Sequence, residues 1–127
     1  MDINTIVIIG NLTRNLELKY TTTGMPVGDF CIAVNRSVKK DGEWAQETDF
    51  FDCKTLGKTA ETLQQYMTKG KKVGVEGYLR QERWTANDGT KKNRVIIYAN
   101  NIVLLSPKDN GGAGATTGDG YGYGYEG

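Results

Sequence analysis

The sequence has no histidine, two cysteines and two prolines in 127 residues. Without histidine, the Ser-His and Cys-His pairs of hydrolases and most zinc sites are excluded. Cys31 and Cys53 are too few for a metal cluster or a disulfide framework, and their apolar surroundings predict two reduced, buried thiols in a cytosolic protein. We therefore expect neither a metal ion nor a cofactor.

Long apolar segments are also missing. The apolar run near the N-terminus, Ile6 to Ile9, has four residues, whereas a membrane-spanning helix needs about 20. No basic segment precedes this run, as an export signal would require. We therefore expect a cytoplasmic chain that does not contact a membrane.

Charge of one sign is not in excess, because 16 Lys and Arg stand against 15 Asp and Glu, for a net charge of +1. A basic surface must then come from local clusters. Such clusters lie in three predicted connections and comprise Arg36, Lys39 and Lys40, then Lys69, Lys71 and Lys72, and then Lys91, Lys92 and Arg94. Three clusters around one small domain favour a binding groove over scattered solubilising charge.

Short, alternating apolar segments predict a β protein. Asp41-Gly42 predicts a hairpin tip, and Ala60, Leu63 and Met67 form the apolar stripe of the one predicted helix. That helix spans residues 57–70, and the strand regions are 5–12 with a brief extended piece at 17–20, then 26–38, 47–56, 71–86 and 93–105. This order predicts an all-β domain with one helix: an OB-fold, a five-stranded antiparallel Greek-key barrel with the helix between strands 3 and 4.

A change in composition at residue 106 predicts the domain boundary. Residues 106–127 are rich in Gly and Tyr and have almost no core-forming side chains. Such a segment cannot offset the entropy of ordering. We expect one folded domain at 1–105 and a disordered C-terminal tail at 106–127.

The tripeptide Gly57-Lys58-Thr59, between a strand and a helix, resembles the end of a Walker phosphate loop. That loop needs a glycine five residues before Gly57, but the sequence has Asp52 there. An NTPase is therefore excluded. Lys58 is instead expected to be an exposed cation at the corner between strand and helix, and Thr59 to help start the helix.

Strand alternation predicts aromatic and basic residues on outward faces. In residues 71–86, Val73, Val75 and Leu79 mark the core side. The opposite side carries Lys72, Gly74, Glu76, Tyr78, Arg80, Glu82 and Trp84. Exposed aromatic rings beside cations suit unpaired nucleic acid, because bases stack on the rings and cations follow the phosphates. The same rings would also suit a core or a subunit interface.

The chain resembles the bacterial single-stranded DNA-binding proteins. The resemblance covers residues 3–105 and rests on "INTIVIIGNLTRNLELKY", "GKTAETLQQYMTKGKKVGVEGYLRQERW" and "DGTKKNRVIIYANNIVLL". It implies an OB-fold, a homotetramer whose first strands pair across a subunit interface, and a nucleoid-associated location. The implied function is non-enzymatic: to coat single-stranded DNA during replication, recombination and repair.

The resemblance also implies DNA-contacting residues. Trp84 matches a stacking tryptophan, Phe50 stands where the family often has another, Lys58 and Arg80 match cationic positions, and Lys19-Tyr20 matches a basic-aromatic pair. With the strand faces included, the predicted set is Lys19, Tyr20, Arg36, Trp44, Phe50, Lys54, Leu56, Lys58, Tyr78, Arg80 and Trp84.

Departures from the family pattern modify this expectation. Leu56 and Val38 replace aromatic residues that are common in the family, with Trp44 as a candidate substitute. Asp52 and Glu82 lie where relatives often have cations. We therefore expect binding that is weaker or more salt-sensitive than that of a typical member.

Partners other than DNA are harder to predict. The sequence ends without the acidic stretch and terminal Pro-Phe by which the family recruits DNA-processing enzymes, so recruitment by that route is not supported. An accessory OB module that mainly contacts replication or restart proteins stays the alternative. A nuclease would need a cluster of carboxylates around Mg²⁺, and Asp49 with Asp52 is too little for one.

Overall fold

The computed structural model describes residues 1–106 as a β-barrel with one short helix. Its elements are β1 (Ile6–Leu12), β2 (Glu17–Tyr20), β3 (Pro26–Lys40), β4 (Glu43–Leu56), α1 (Lys58–Leu63), β5 (Lys72–Thr85) and β6 (Lys91–Leu104). Both β1 and β2 pair with β3, so together they form the first strand region of the predicted order. The predicted OB-fold is confirmed.

The barrel closes because β1 pairs with two neighbours. The sheet order is β1-β5-β6-β4-β3-β2, and β1 pairs with β3 as well as with β5. All pairings are antiparallel except that of β4 with β6, where Cys53 lies opposite Ile97 and Lys54 opposite Tyr98. The prediction of an antiparallel barrel therefore holds for every pair but this one, which brings β4 beside the β5–β6 hairpin.

Apolar side chains from both halves of the chain fill the barrel. The buried cluster comprises Leu12, Leu16, Phe30, Ile32, Cys53, Met67, Val73, Val75 and Ile97. Burial of about 1.5–3 kcal/mol per large apolar side chain is the main source of the barrel's stability. This core fixes which residues of each strand face outward.

The helix is shorter than predicted. It ends at Leu63, and Met67 reaches the core from the following turn, where its amide donates to the Leu63 carbonyl at 3.0 Å. The expected role of Thr59 is also wrong, because no side-chain hydrogen bond caps the helix. Gly57 precedes the first turn with φ at 79°, a left-handed conformation that favours glycine.

Two long hairpins extend from the barrel. The β3–β4 hairpin turns at Asp41 and Gly42, whose φ angles of 51° and 82° confirm the predicted tip. The β5–β6 hairpin is paired as far as Thr85 and Lys91, so the last basic cluster lies in β6 and not in a loop. Leu79, predicted to face the core, is partly exposed.

Close contact between β5 and β6 depends on Gly77. The register shifts between Glu76, opposite Asn101, and Gly77, opposite Ala99. A Cβ atom at Gly77 would lie 1.9 Å from the Tyr98 carbonyl oxygen. Only a residue without a side chain therefore fits at this point of the sheet.

Both cysteines are free thiols. Cys53 is buried, and its removal from water raises the pKa of the thiol to about 12. The thiol of Cys53 is therefore protonated at neutral pH. Cys31, predicted to be buried, is half-exposed, because it lies on the outward side of β3 opposite Asp52.

The end of the described region is tied to the barrel. The Lys72 amide donates to the Ser106 hydroxyl at 2.6 Å, and the Leu105 amide donates to the Lys72 carbonyl at 2.9 Å. The rest of the predicted tail, residues 107–127, lies outside the described residues. Within residues 1–106, no helix is long and apolar enough to cross a membrane.

Candidate nucleic-acid interface

One row of paired residues crosses four strands on the outside of the barrel. Asp29 of β3 lies opposite Lys54 of β4, Lys54 opposite Tyr98 of β6, and Tyr98 opposite Tyr78 of β5. Each has a buried neighbour in its own strand, so alternation directs all four side chains to the outside of the barrel, where Tyr98 is only 8% exposed. The row therefore joins charged and aromatic groups from distant parts of the sequence.

Three of these strands, β4, β6 and β5, are adjacent, and we call their outward side the β4–β6–β5 face. It comprises Phe50, Asp52, Lys54 and Leu56 of β4, Arg94 and Tyr98 of β6, and Tyr78, Arg80, Glu82 and Trp84 of β5. A groove of about 540 Å³ lies on it, lined in part by Arg80, Glu82, Trp84, Arg94 and Tyr98. Six of the predicted contact residues thus share one surface.

Aromatic rings form an ordered patch on this face. The rings of Tyr78 and Tyr98 stack with centroids 5.7 Å apart and planes 21° apart. The Arg80 guanidinium carbon lies 5.0 Å from the centre of the Tyr98 ring, within range of a cation–π contact. Phe50 is 65% exposed, and Trp84 is also exposed. The face therefore presents two open rings beside a preformed stack.

A carboxylate lies in the centre of the face. Oε2 of Glu82 is 2.8 Å from Nζ of Lys54 and accepts a hydrogen bond from the Tyr98 hydroxyl at 2.6 Å. Arg94 contacts Oε1 of Glu82 at 3.6 Å and Oδ2 of Asp52 at 3.8 Å. The hydrogen bonds from Lys54 and Tyr98 lower the pKa of Glu82, whereas burial and the bond to Glu82 raise the pKa of Tyr98 to about 12.

The two sides of the β3–β4 hairpin differ. Trp44 is 70% exposed on the same side as Phe50, with Nζ of Lys39 5.7 Å from its ring centre. Arg36 lies on the reverse side, where it contacts Asp49 at 2.7 Å and Glu47 at 3.0 Å. The hydrogen bond that Arg36 donates to Asp49 raises the pKa of Arg36. Of the two predicted residues Trp44 and Arg36, only Trp44 shares a side with Phe50.

Lys19 and Tyr20 also separate. Lys19 lies in the same row as Leu56 and is 3.7 Å from Asp29. The Tyr20 hydroxyl donates to Glu61 of α1 at 2.9 Å, which raises the pKa of the tyrosine. Lys58 is exposed at the first position of α1, and no ion pair to it occurs within residues 1–106. The structure thus places Lys19 and Lys58 at the Leu56 end of the face.

Besides Asp52 and Glu82, two residues of the face, Tyr98 and Arg94, were absent from the predicted contact set. Tyr98 follows a buried isoleucine, so strand alternation alone would have placed it outward. Arg94 belonged to a predicted basic cluster but was not assigned to a strand face. The position of Tyr98 opposite Lys54 and the contact of Arg94 with Asp52 depend on the parallel pairing of β4 with β6, which the sequence pattern does not reveal.

A comparison with known families identifies the chain. The model of the single-strand binding protein family matches residues 3–105. The chain belongs to the single-strand binding protein family. It is 42% identical over 118 residues to the single-stranded DNA-binding protein of Treponema pallidum, covering 93% of this chain and 66% of that protein. It is 44% identical over 110 residues to that of Borreliella burgdorferi, covering 86% and 74%.

Solved structures of family members share the fold. A Plasmodium falciparum single-strand binding protein in complex with single-stranded DNA matches with a TM-score of 0.76 at 23% identity, covering 84% of this chain and 97% of that one. A deletion mutant of the Thermus aquaticus protein matches with a TM-score of 0.72 at 28% identity, covering 82% and 51%. The predicted family and fold are confirmed, and the family is one of non-enzymatic DNA-binding proteins.

Proposed function

We propose that this member of the family coats and protects single-stranded DNA, without sequence preference, during replication, recombination and repair. The observation that supports the proposal is the β4–β6–β5 face, where Phe50 and Trp84 lie open beside Lys54, Arg80 and Arg94. Stacking contributes about 1–3 kcal/mol per base and accepts any base, because every base has a flat face. Cations on the same surface attract the phosphates.

The outward side of β4 is long enough for several bases. Trp44 and Phe50 lie on the same side of β4, six residues apart, which corresponds to about 20 Å of extended strand. A duplex reader would instead insert a long helix into the major groove. The helix described here, α1, has six residues, so the surface suits an unpaired strand.

The geometry supports the following proposed contacts. They comprise Lys19, Lys39, Trp44, Phe50, Lys54, Leu56, Lys58, Tyr78, Arg80, Trp84 and Arg94. Arg36 and Tyr20 belong to the set predicted from the sequence, but both bind carboxylates away from the face. We therefore leave these two out of the proposed contacts.

A titration that follows tryptophan fluorescence tests the proposal. Both tryptophans are exposed, so stacking of bases should quench their emission. We expect strong quenching by dT oligomers and little by duplex DNA of the same length. If neither DNA binds, the proposed function is wrong and the alternative, a module that contacts other proteins, is favoured.

We also propose that the chain assembles with copies of itself, as the homotetramer expected from the family resemblance. Val7, Ile9 and Val103 are exposed, and Ile9, Gly74 and Val103 lie in one row across β1, β5 and β6. With no side chain at Gly74, this apolar patch is flat, and such patches mark interfaces. It is the surface where β1 strands of two copies would meet.

Sedimentation velocity tests the assembly. Val7→Asp should shift the protein toward smaller species, because a charge would be buried in the contact. Met25→Asp is the matched control, since Met25 is an exposed apolar residue in the turn before β3. Equal sedimentation of the two variants would contradict the patch as the interface.

With DNA as the ligand, we propose a location at the nucleoid.

A further inference from the structure

A carboxylate lies in the middle of a surface proposed to bind a polyanion. We infer that Glu82 competes with the DNA phosphates for Lys54 and Arg94 and so limits the affinity for single-stranded DNA. The inference rests on the proposed function. Glu82 thus tunes DNA binding without itself contacting the phosphates.

The contacts of Glu82 occupy both of its oxygens. Oε2 receives Lys54 at 2.8 Å and the Tyr98 hydroxyl at 2.6 Å, and Oε1 faces Arg94 at 3.6 Å. The Lys54 and Glu82 side chains are only 21% and 24% exposed, whereas those of the surface pair Lys19–Glu17 are 58% and 59% exposed. Water and salt screen the Lys54–Glu82 pair less than a surface pair.

A phosphate that approaches Lys54 meets this arrangement. To accept a charge-assisted hydrogen bond from the Lys54 ammonium, it must displace Glu82 or lie beside its negative charge. Asp52 repeats the situation at Arg94, with a longer contact of 3.8 Å. The attraction between these cations and DNA is therefore partly offset within the protein.

The salt dependence of binding distinguishes this competition from a merely positioning role. For single strands, log K changes with log salt by about −0.7 for each phosphate that the protein neutralises. Cations held by carboxylates neutralise fewer phosphates, so the wild-type slope is shallow. Of the two outcomes expected from the sequence, the ion pairs favour weaker binding over greater salt sensitivity.

The test measures dT-oligomer affinity for Glu82→Gln across a series of NaCl concentrations. Glutamine keeps the shape and an acceptor oxygen for Tyr98 but removes the charge. We expect roughly fivefold tighter binding at low salt and a slope steeper by up to about 1.4, from two released cations. Equal or weaker binding with an unchanged slope would show that Glu82 only positions its neighbours.

Glu47→Gln is the matched control. Glu47 also holds two cations, Arg36 at 3.0 Å and Lys40 at 2.7 Å, but on the reverse side of the β3–β4 hairpin. It should change affinity less than twofold and leave the slope unaltered. An effect equal to that of Glu82→Gln would assign the change to overall charge and overturn the inference.

Two further arms keep the outcome decisive. If Glu82→Gln does not fold, Asp52→Asn replaces it, with the same direction and a smaller shift expected; no shift would overturn the inference. If the wild-type protein binds no dT oligomer even at low salt, the proposed function itself fails. Wild-type binding with unaltered variants refutes only the competition.

Discussion

Both sides of the β3–β4 hairpin carry cations, but these cations have different partners. On one side, Lys39 lies over Trp44, in line with the exposed Phe50. On the other, Arg36 and Lys40 bind carboxylates at distances of 2.7–3.0 Å. Strand alternation thus separates the members of one basic cluster. Lys39 lies on the side of the exposed rings, and Arg36 and Lys40 lie on the side where carboxylates neutralise them. Local charge pairing, more than the number of basic residues, decides where a polyanion can bind.

The largest expected effect concerns stacking on the open side. Trp84→Ala should weaken dT-oligomer binding by about tenfold to a hundredfold, because one stacked base contributes about 1–3 kcal/mol. Anisotropy of a labelled oligomer measures the change. Trp84→Phe keeps a ring and should recover most of the loss. Binding by the alanine variant within twofold of wild type would remove Trp84 from the interface.

A smaller effect compares one lysine and one arginine of the same cluster. Lys39→Ala should weaken binding equally for all sequences and make the salt slope shallower by about 0.7. Arg36→Ala should leave the slope unaltered, because Arg36 is neutralised on the reverse side. A shallower slope for both variants would show that DNA reaches both sides of the hairpin.

The smallest effect concerns stability in acid. The pKa of Glu82 is lowered in the folded protein by the hydrogen bonds from Lys54 and Tyr98. Its contribution is therefore present above the ordinary glutamate pKa, near 4.3, and disappears as pH falls through the lowered value. At pH 7, the free energy of unfolding of Glu82→Gln should be lower than that of wild type by roughly 1 kcal/mol, so the variant should unfold at a lower temperature. This gap in unfolding temperature should close well below pH 4.

Thermal melts followed by circular dichroism at several pH values measure this gap. A gap that stays constant down to pH 2 would indicate that lost packing, and not lost charge, destabilises the variant. Combined with the salt titration, the result would show whether the same ion pairs stabilise the fold and restrain binding.

Much of the fold was predictable because it depends on local patterns. Alternation identified the strands, and Asp41-Gly42 identified the hairpin tip. The end of the helix was not predictable, because Met67 reaches the core from a turn, and packing there outweighs helical periodicity. The burial of Cys31 was predicted from its apolar surroundings, but alternation with the buried Phe30 and Ile32 places it outward. Leu79 alternates with the buried Val73 and Val75 but lies farther along β5, where it is 40% exposed.

The candidate site was predicted less completely, for a physical reason. Phe50, Lys54 and Trp84 could be placed outward from their own strands. The contact between Lys54 and Glu82 joins residues 28 positions apart and depends on the parallel pairing of β4 with β6. The ion pairs of Lys54 and Arg94 thus depend on the order of the strands in the barrel, which local sequence patterns do not reveal.

Gly77 links the interior of the barrel to its binding surface. Any side chain there would meet the Tyr98 carbonyl at 1.9 Å and force β6 away from β5. Tyr98 would then leave its stacking partner Tyr78 and its hydrogen bond to Glu82 together. Gly77 does not contact a ligand, but it determines where Tyr98 lies relative to Tyr78 and Glu82. A substitution inside the sheet would therefore disturb the outer surface as a substitution in the core disturbs packing.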